Sequence, residues 1–240
     1  MASKEATARL KGFARTIPAF LMAYGNKDTD LESFSKIVPE NEFEEVTTIN
    51  YREFDEIRPL INSSLFDESV KEFFDKKEQL ANWFNESQDK DIFSYIPSQT
   101  TNLIFTPRTL VKEMVRDIEE ESNEKIFDMD SITFADPCMK SGMYITEIVK
   151  RLYNSKKMRE KYPDDEERLR HIFEKQVYGL APTHTTYLVA MNYIFGSPKT
   201  KNINKSHFRE FDILKFTEGQ KRKKQTGNVV EEKLNEIFGA

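Results

Sequence analysis

One stretch constrains this chain more than any other: Ile132-Thr133-Phe134-Ala135-Asp136-Pro137-Cys138-Met139-Lys140-Ser141-Gly142-Met143-Tyr144-Ile145. Residues 132–135 form a short apolar run that reads as a strand. Residues 136–142 read as a tight loop. The loop opens onto a helix whose apolar residues Ile145, Ile148, Val149 and Leu152 recur at spacings of three and four. A strand, a tight loop and a helix in that order begin a βαβ unit, which builds a parallel sheet. In doubly wound α/β proteins this turn is where a nucleotide-like ligand meets backbone N–H groups, and Gly142 permits a close backbone approach. One glycine is not a glycine-rich cradle, so the local pattern also suits an ordinary βα loop.

The flanking sequence keeps the same alternation. A helix is predicted from Pro107 to about Glu121, with Leu110, Val111, Met114, Val115 and Ile118 on one side, Thr106 as its cap and Pro107 in its first turn. Residues 164–175 read as a helix, Val177-Tyr178-Gly179-Leu180 as a strand, 183–195 as a helix and about 229–238 as a last helix. This order predicts an α/β fold with parallel strands. Residues 1–95 read differently, as helices throughout. Leu10, Phe13, Ile17, Phe20, Leu21 and Tyr24 make one apolar face before Gly25, with Pro18 placed to kink or split it. Asp30, Asn50 and Asp67 are the expected caps of three further helices. The polar stretch Ile96-Pro97-Ser98-Gln99-Thr100-Thr101 separates the two patterns. The expected division is therefore a helical region, 1–95, and an α/β domain, 96–240.

Composition excludes several classes. A single cysteine, Cys138, forbids an internal disulfide and points to the cytoplasm. Three scattered histidines, His171, His184 and His207, argue against a zinc site, and no metal ligands are assigned. A net charge of −5 excludes a nonspecific basic coat for nucleic acid, and no apolar run approaches the ~18 residues of a membrane span. Other chemistry-bearing residues have ordinary readings. The acids Asp164, Asp165, Glu166 and Glu167 suit a helix start. Cys138 has no histidine near it in sequence. Trp83 and Phe84 fit packing on the fourth helix, His184 fits a structural role, and Lys221-Arg222-Lys223-Lys224 fits an exposed loop.

A series of short motifs adds to this. Phe105-Thr106-Pro107 precedes a helix, Asp136-Pro137 and Ser141-Gly142 flank the tight turn, Gly179 lies in the next strand, and Asp212 stands in Phe211-Asp212-Ile213-Leu214. In this order, residues 96–240 resemble the adenine-N6 DNA methyltransferases of restriction–modification systems, in their gamma-class arrangement. The resemblance implies an incomplete Rossmann-like methyltransferase sheet preceded by an α-helical region that serves as a coupler or spacer. It implies that Phe105, Thr106 and Pro107 touch the methionine end of S-adenosylmethionine. Asp136, Pro137, Ser141 and Gly142 would form its turn, with Tyr144 and Ile145 in place of an aromatic-Leu pair. Gly179 would precede the acidic ribose ligand, and Asp212 would meet the cofactor's adenine amino group.

The sequence also departs from the family. Met139 replaces the usual Cys, Lys140 replaces the first Gly of G-S-G, and Ala181 stands where an acid should hold the ribose hydroxyls. These departures predict weak cofactor binding. The Asn-Pro-Pro-aromatic turn that grips a flipped adenine is missing, since no two prolines are adjacent in the 240 residues. No catalytic residue is therefore assigned. The expectation is a fragment, inactive alone, that supplies the cofactor-binding portion of the enzyme. Duplex DNA would be bound through the complete protein, with fused helicase, nuclease or target-recognition domains, and no membrane would be involved. The alternative is a catalytically inactive methyltransferase-like scaffold or spacer linking a motor to a DNA-recognition domain.

Overall fold

The computed structural model describes residues 4–85, 90–97, 104–122, 125–222 and 229–239. The chain divides into two compact units, Met1–Phe105 and Thr106–Ala240.

Phenylalanines at helical spacing organise the first unit. Helices α1 (Lys4–Ala23), α2 (Glu40–Thr47), α3 (Tyr51–Ile57) and α4 (Ser63–Leu80) surround an aromatic core. Phe34 is its hub, with ring centroids 4.4 Å from Phe20, 5.2 Å from Phe66 and 5.6 Å from Phe13. Tilted and edge-to-face pairs of this kind add to what burial of each ring contributes. Helix α1 continues through Pro18 to Ala23 instead of splitting there. The buried side chains Phe13, Phe20, Leu21 and Met22 lie on both sides of the proline and offset the lost backbone bond. Asn50 caps α3 as expected, in a reciprocal capping box with Glu53.

Two expected caps are corrected. Asn62, not Asp67, caps α4 by accepting from the Leu65 N–H at 3.1 Å. The Asp67 carboxylate is turned instead to the Leu31 N–H at 3.2 Å. Asp30 accepts from the Ser33 N–H at 2.7 Å and leads only into a 3-10 turn, Phe34–Lys36. Trp83 and Phe84 lie beyond the end of α4, where Trp83 is buried and stacks on Phe84 at 3.9 Å.

The second unit is α/β. Helix α5 (Arg108–Glu121) buries Val111 and Val115. Pro107, not Thr106, occupies its cap position, without a side-chain capping bond. Strand β1 (Phe134–Asp136) starts two residues later than predicted and carries its register through Asp136. Helix α6 (Met143–Asn154) follows. Two short helices, α7 (Lys156–Lys161) and α8 (Asp165–His171), and a π-helical turn, Ile172–Gln176, lead to β2 (Val177–Ala181). Asp164 caps α8, so the acidic run serves as a helix start. Helix α9 (His184–Ile194), β3 (Phe208–Glu210), α10 (Ile213–Arg222) and α11 (Val229–Phe238) complete the unit.

The sheet order is β1-β2-β3 and both pairings are parallel. Phe134 pairs with Val177, Asp136 with Gly179, Gly179 with Phe208 and Ala181 with Glu210. Helix α6 lies against β1 and β2, α9 lies against β2 and β3, and the two helices touch, so they share one face of the sheet. Parallel strands put all three C-terminal ends on one edge, and that edge carries the loops. Among the described residues β1 pairs with β2 alone. No described helix is long and apolar enough to cross a membrane. Residues 98–103, in the expected linker, lie outside the described residues, as do the side chains of the basic run 221–224.

Candidate functional site

The C-terminal ends of the strands gather most of the singled-out residues of the second unit. Asp136 closes β1, and its Oδ1 accepts from the Cys138 N–H at 3.0 Å. Burial pushes its carboxyl up to about 6, against the smaller opposing pull of that bond. The loop is then pinned to the neighbouring strand, because the Met139 N–H donates to the Leu180 carbonyl at 2.7 Å. The Met139 side chain is fully buried. It fills the space beside Gly179, where an added Cβ would lie 2.6 Å from Met139 Sδ and 2.9 Å from Phe208 Cδ1. The glycine in β2 thus admits packing of the loop.

Gly142 is required twice. Its φ of 80° lies in the left-handed region, and a Cβ there would stand 2.7 Å from Ile194 Cγ1 on α9. The close approach at this glycine is therefore helix packing of α6 on α9. Ser141 is buried, and its Oγ accepts from the Met143 N–H at 3.3 Å at the start of α6. Tyr144 turns outward along α5, its hydroxyl 2.8 Å from Met114 Sδ.

Asp212 follows β3. The Phe211 N–H extends the ladder by donating to the Ala181 carbonyl at 2.8 Å, and Asp212 Oδ1 accepts from the Lys215 N–H at 2.9 Å, capping α10. Its charge reaches the β1–α6 loop. The Cys138 thiol is pushed up by burial first; Lys140 opposes this, and Asp136 and Asp212 add to it. Asp136, Cys138, Lys140 and Asp212 therefore share one electrostatic neighbourhood. A thiol held up in this way is a poor nucleophile.

The boundary between the two units falls inside the Phe105-Thr106-Pro107 motif. Phe105 belongs to the first unit, where its ring lies 4.8 Å from Phe93, and Thr106 and Pro107 open the second. Ala181 is fully buried at the end of β2 and offers no polar group beyond its backbone. Two residues not singled out for binding stand close by. Glu210 is Ala181's partner in the ladder, and its Oε2 lies 2.8 Å from Nδ1 of His184, the first residue of α9. The signal available in sequence was the spacing Glu210-Phe211-Asp212, two acids one residue apart after an apolar position. Among the described residues no group of three or more His, Cys, Asp or Glu side chains is placed to hold a metal ion.

Comparison with protein-family models, with curated proteins and with solved structures finds no match to this chain. The chemistry of the site therefore carries the functional argument. Among the described residues, Asp136, Glu210 and Asp212 are acids that end or follow the strands at this edge, and Lys140 is a lysine of the β1–α6 loop. That set suits a ligand with positive charge, hydroxyl donors and one anionic group.

Proposed function

We propose that the second unit is the cofactor-binding half of a DNA adenine-N6 methyltransferase of a restriction–modification system, with S-adenosylmethionine as cofactor. One observation carries this reading. The loop 136–142, pinned to β2 through Met139, and Asp212, following the Phe211–Ala181 hydrogen bond, are 70 residues or more apart in sequence and both lie at the C-terminal edge of a parallel sheet, where the charge of Asp212 acts on the Cys138 thiol. Ligands of open α/β sheets bind at that edge. The motif order Phe105-Thr106-Pro107, Asp136-Pro137, Ser141-Gly142, Gly179 and Asp212 supports the same reading.

The donor set fits the cofactor. When bound, S-adenosylmethionine supplies an electrophilic methyl group on a sulfonium. Asp136, desolvated and with one hydrogen bond, is stabilised as a carboxylate by a cationic group beside it. The start of α6 directs N–H groups toward the loop, where they and Lys140 complement a carboxylate. Asp212 is half-buried; its Oδ1 accepts from the Lys215 N–H, and its other carboxylate oxygen would accept from the adenine amino group.

This chain holds no Asn-Pro-Pro-aromatic turn, so none of its residues grips the adenine amino group. A second reading, an inactive scaffold of the same fold, is favoured by one observation: Ala181 leaves β2 without a ribose acid.

Calorimetric titration of the chain with S-adenosylhomocysteine separates the two. The enzyme reading predicts saturable one-to-one binding with a dissociation constant of about 100 μM, or about −5.5 kcal/mol. Absence of saturable heat at several-millimolar ligand selects the scaffold.

A further inference from the structure

Resting on the cofactor reading above, we infer that Glu210 accepts the ribose hydroxyls of the adenosyl group, in place of the acid that β2 lacks, and that His184 is its positioning residue.

The end of β2 has no acid to offer. Ala181 is buried, Pro182 follows, and the Thr183 hydroxyl is engaged in the capping box of α9, 3.2 Å from the Thr186 N–H and 3.0 Å from the Thr186 hydroxyl. Glu210 stands beside that position. It pairs with Ala181 in the parallel ladder, and neighbouring strands lie about 4.8 Å apart. A carboxylate is thus displaced by one strand from where a doubly wound sheet usually holds one for a ribose, and it ends its strand at the same level.

The carboxylate is oriented and accessible. His184 Nδ1 holds Oε2 at 2.8 Å, and the Glu210 side chain is 49% exposed. Oε1 has no hydrogen bond in the described structure, which leaves lone pairs for vicinal hydroxyls. The spacing also suits a nucleoside. The Met139–Leu180 hydrogen bond holds the loop at the level of the end of β2, on the β1 side. Glu210 lies on the β3 side. Two strand spacings separate them, about 10 Å. Asp212, two residues further along, then lies within reach of the base, and the loop faces the methionine end.

The competing account treats Glu210–His184 as an exposed ion pair, which contributes little to stability and nothing to binding. Calorimetry of three chains, unmodified, Glu210→Gln and His184→Gln, with two ligands, S-adenosylhomocysteine and its 2′,3′-dideoxyribose analogue, decides between them. The inference expects Glu210→Gln to weaken S-adenosylhomocysteine binding at least tenfold. It expects the dideoxy analogue, which lacks both hydroxyls, to bind the unmodified chain at least fivefold more weakly, and to bind Glu210→Gln and the unmodified chain within about twofold of each other. His184→Gln should reduce the discrimination between the two ligands, which a purely structural role would leave unchanged. Unchanged binding by Glu210→Gln, or equal binding of the two ligands to the unmodified chain, overturns the role of Glu210 while leaving the cofactor reading intact. If the unmodified chain binds neither ligand, the cofactor reading fails and this inference with it. The analogue arm needs no variant, so it stands even if a substitution disturbs folding.

Discussion

At Asp136, stability and the proposed cofactor binding pull in opposite directions. Its folded carboxyl is raised from 3.8 to about 6, so the folded state holds a proton that the unfolded state has released between those values. Stability from this group is therefore full below about pH 4 and is lost as pH rises through about 6. Ionised at pH 7.5, it costs the second unit about 1–3 kcal/mol. Asn keeps the acceptor for the Cys138 N–H and removes the charge. Asp136→Asn should stabilise the unit by about 1–2 kcal/mol at pH 7.5 and change little at pH 4, as read by urea unfolding at the two pH values. The same substitution should weaken cofactor binding, the trade expected where a strained group serves a site. A variant less stable than the parent at pH 7.5 would mean that the carboxylate is paired in the folded protein.

Packing between elements turns on Gly142. Alanine there must adopt a left-handed conformation and place its Cβ 2.7 Å from Ile194 Cγ1. The backbone cost is about 1–2 kcal/mol and the overpacking about 1–3 kcal/mol. Gly142→Ala should therefore destabilise the second unit by about 2–5 kcal/mol. Ile194→Ala in the same chain should recover part of that loss, giving a coupling above about 0.5 kcal/mol in a double-mutant cycle. Purely additive losses would place the strain in the backbone alone.

The elements that sequence made legible are those with long periodic faces or strong caps: α5, α6, α9, α3 behind Asn50 and α8 behind Asp164. Elements of few residues escaped it. Strand β3 has three residues, too short to show alternation, and α2 and α7 have eight and six. Asp67 looked like a cap because short acids cap helices, but a long-range bond to Leu31 claims it, and Asn62 lies one turn earlier. At the site, the loop 136–142 could be read because strand, turn and glycine are contiguous. The neighbourhood of Asp212 was expected from motif order. Glu210 was missed because its two-residue spacing from Asp212 is a weak signal, and its place beside Ala181 comes from ladder register.

At the scale of the whole molecule, the chain joins a helical unit built on aromatic packing to an α/β unit built on a parallel sheet. The change of hydrophobic period between them was readable; the junction falls at 105/106, inside the Phe105-Thr106-Pro107 motif. The residues proposed to hold the cofactor's loop, ribose and base ends all belong to the second unit. The central claim is that one nucleoside-sized site spans the C-terminal ends of β1, β2 and β3. Ultraviolet crosslinking of the chain with tritium-labelled S-adenosylmethionine, followed by peptide mapping, tests it most directly. The account predicts label in the peptides containing residues 136–144 or 208–216, lost on competition with excess S-adenosylhomocysteine. Label confined to residues 4–85, or label that S-adenosylhomocysteine does not displace, would contradict it.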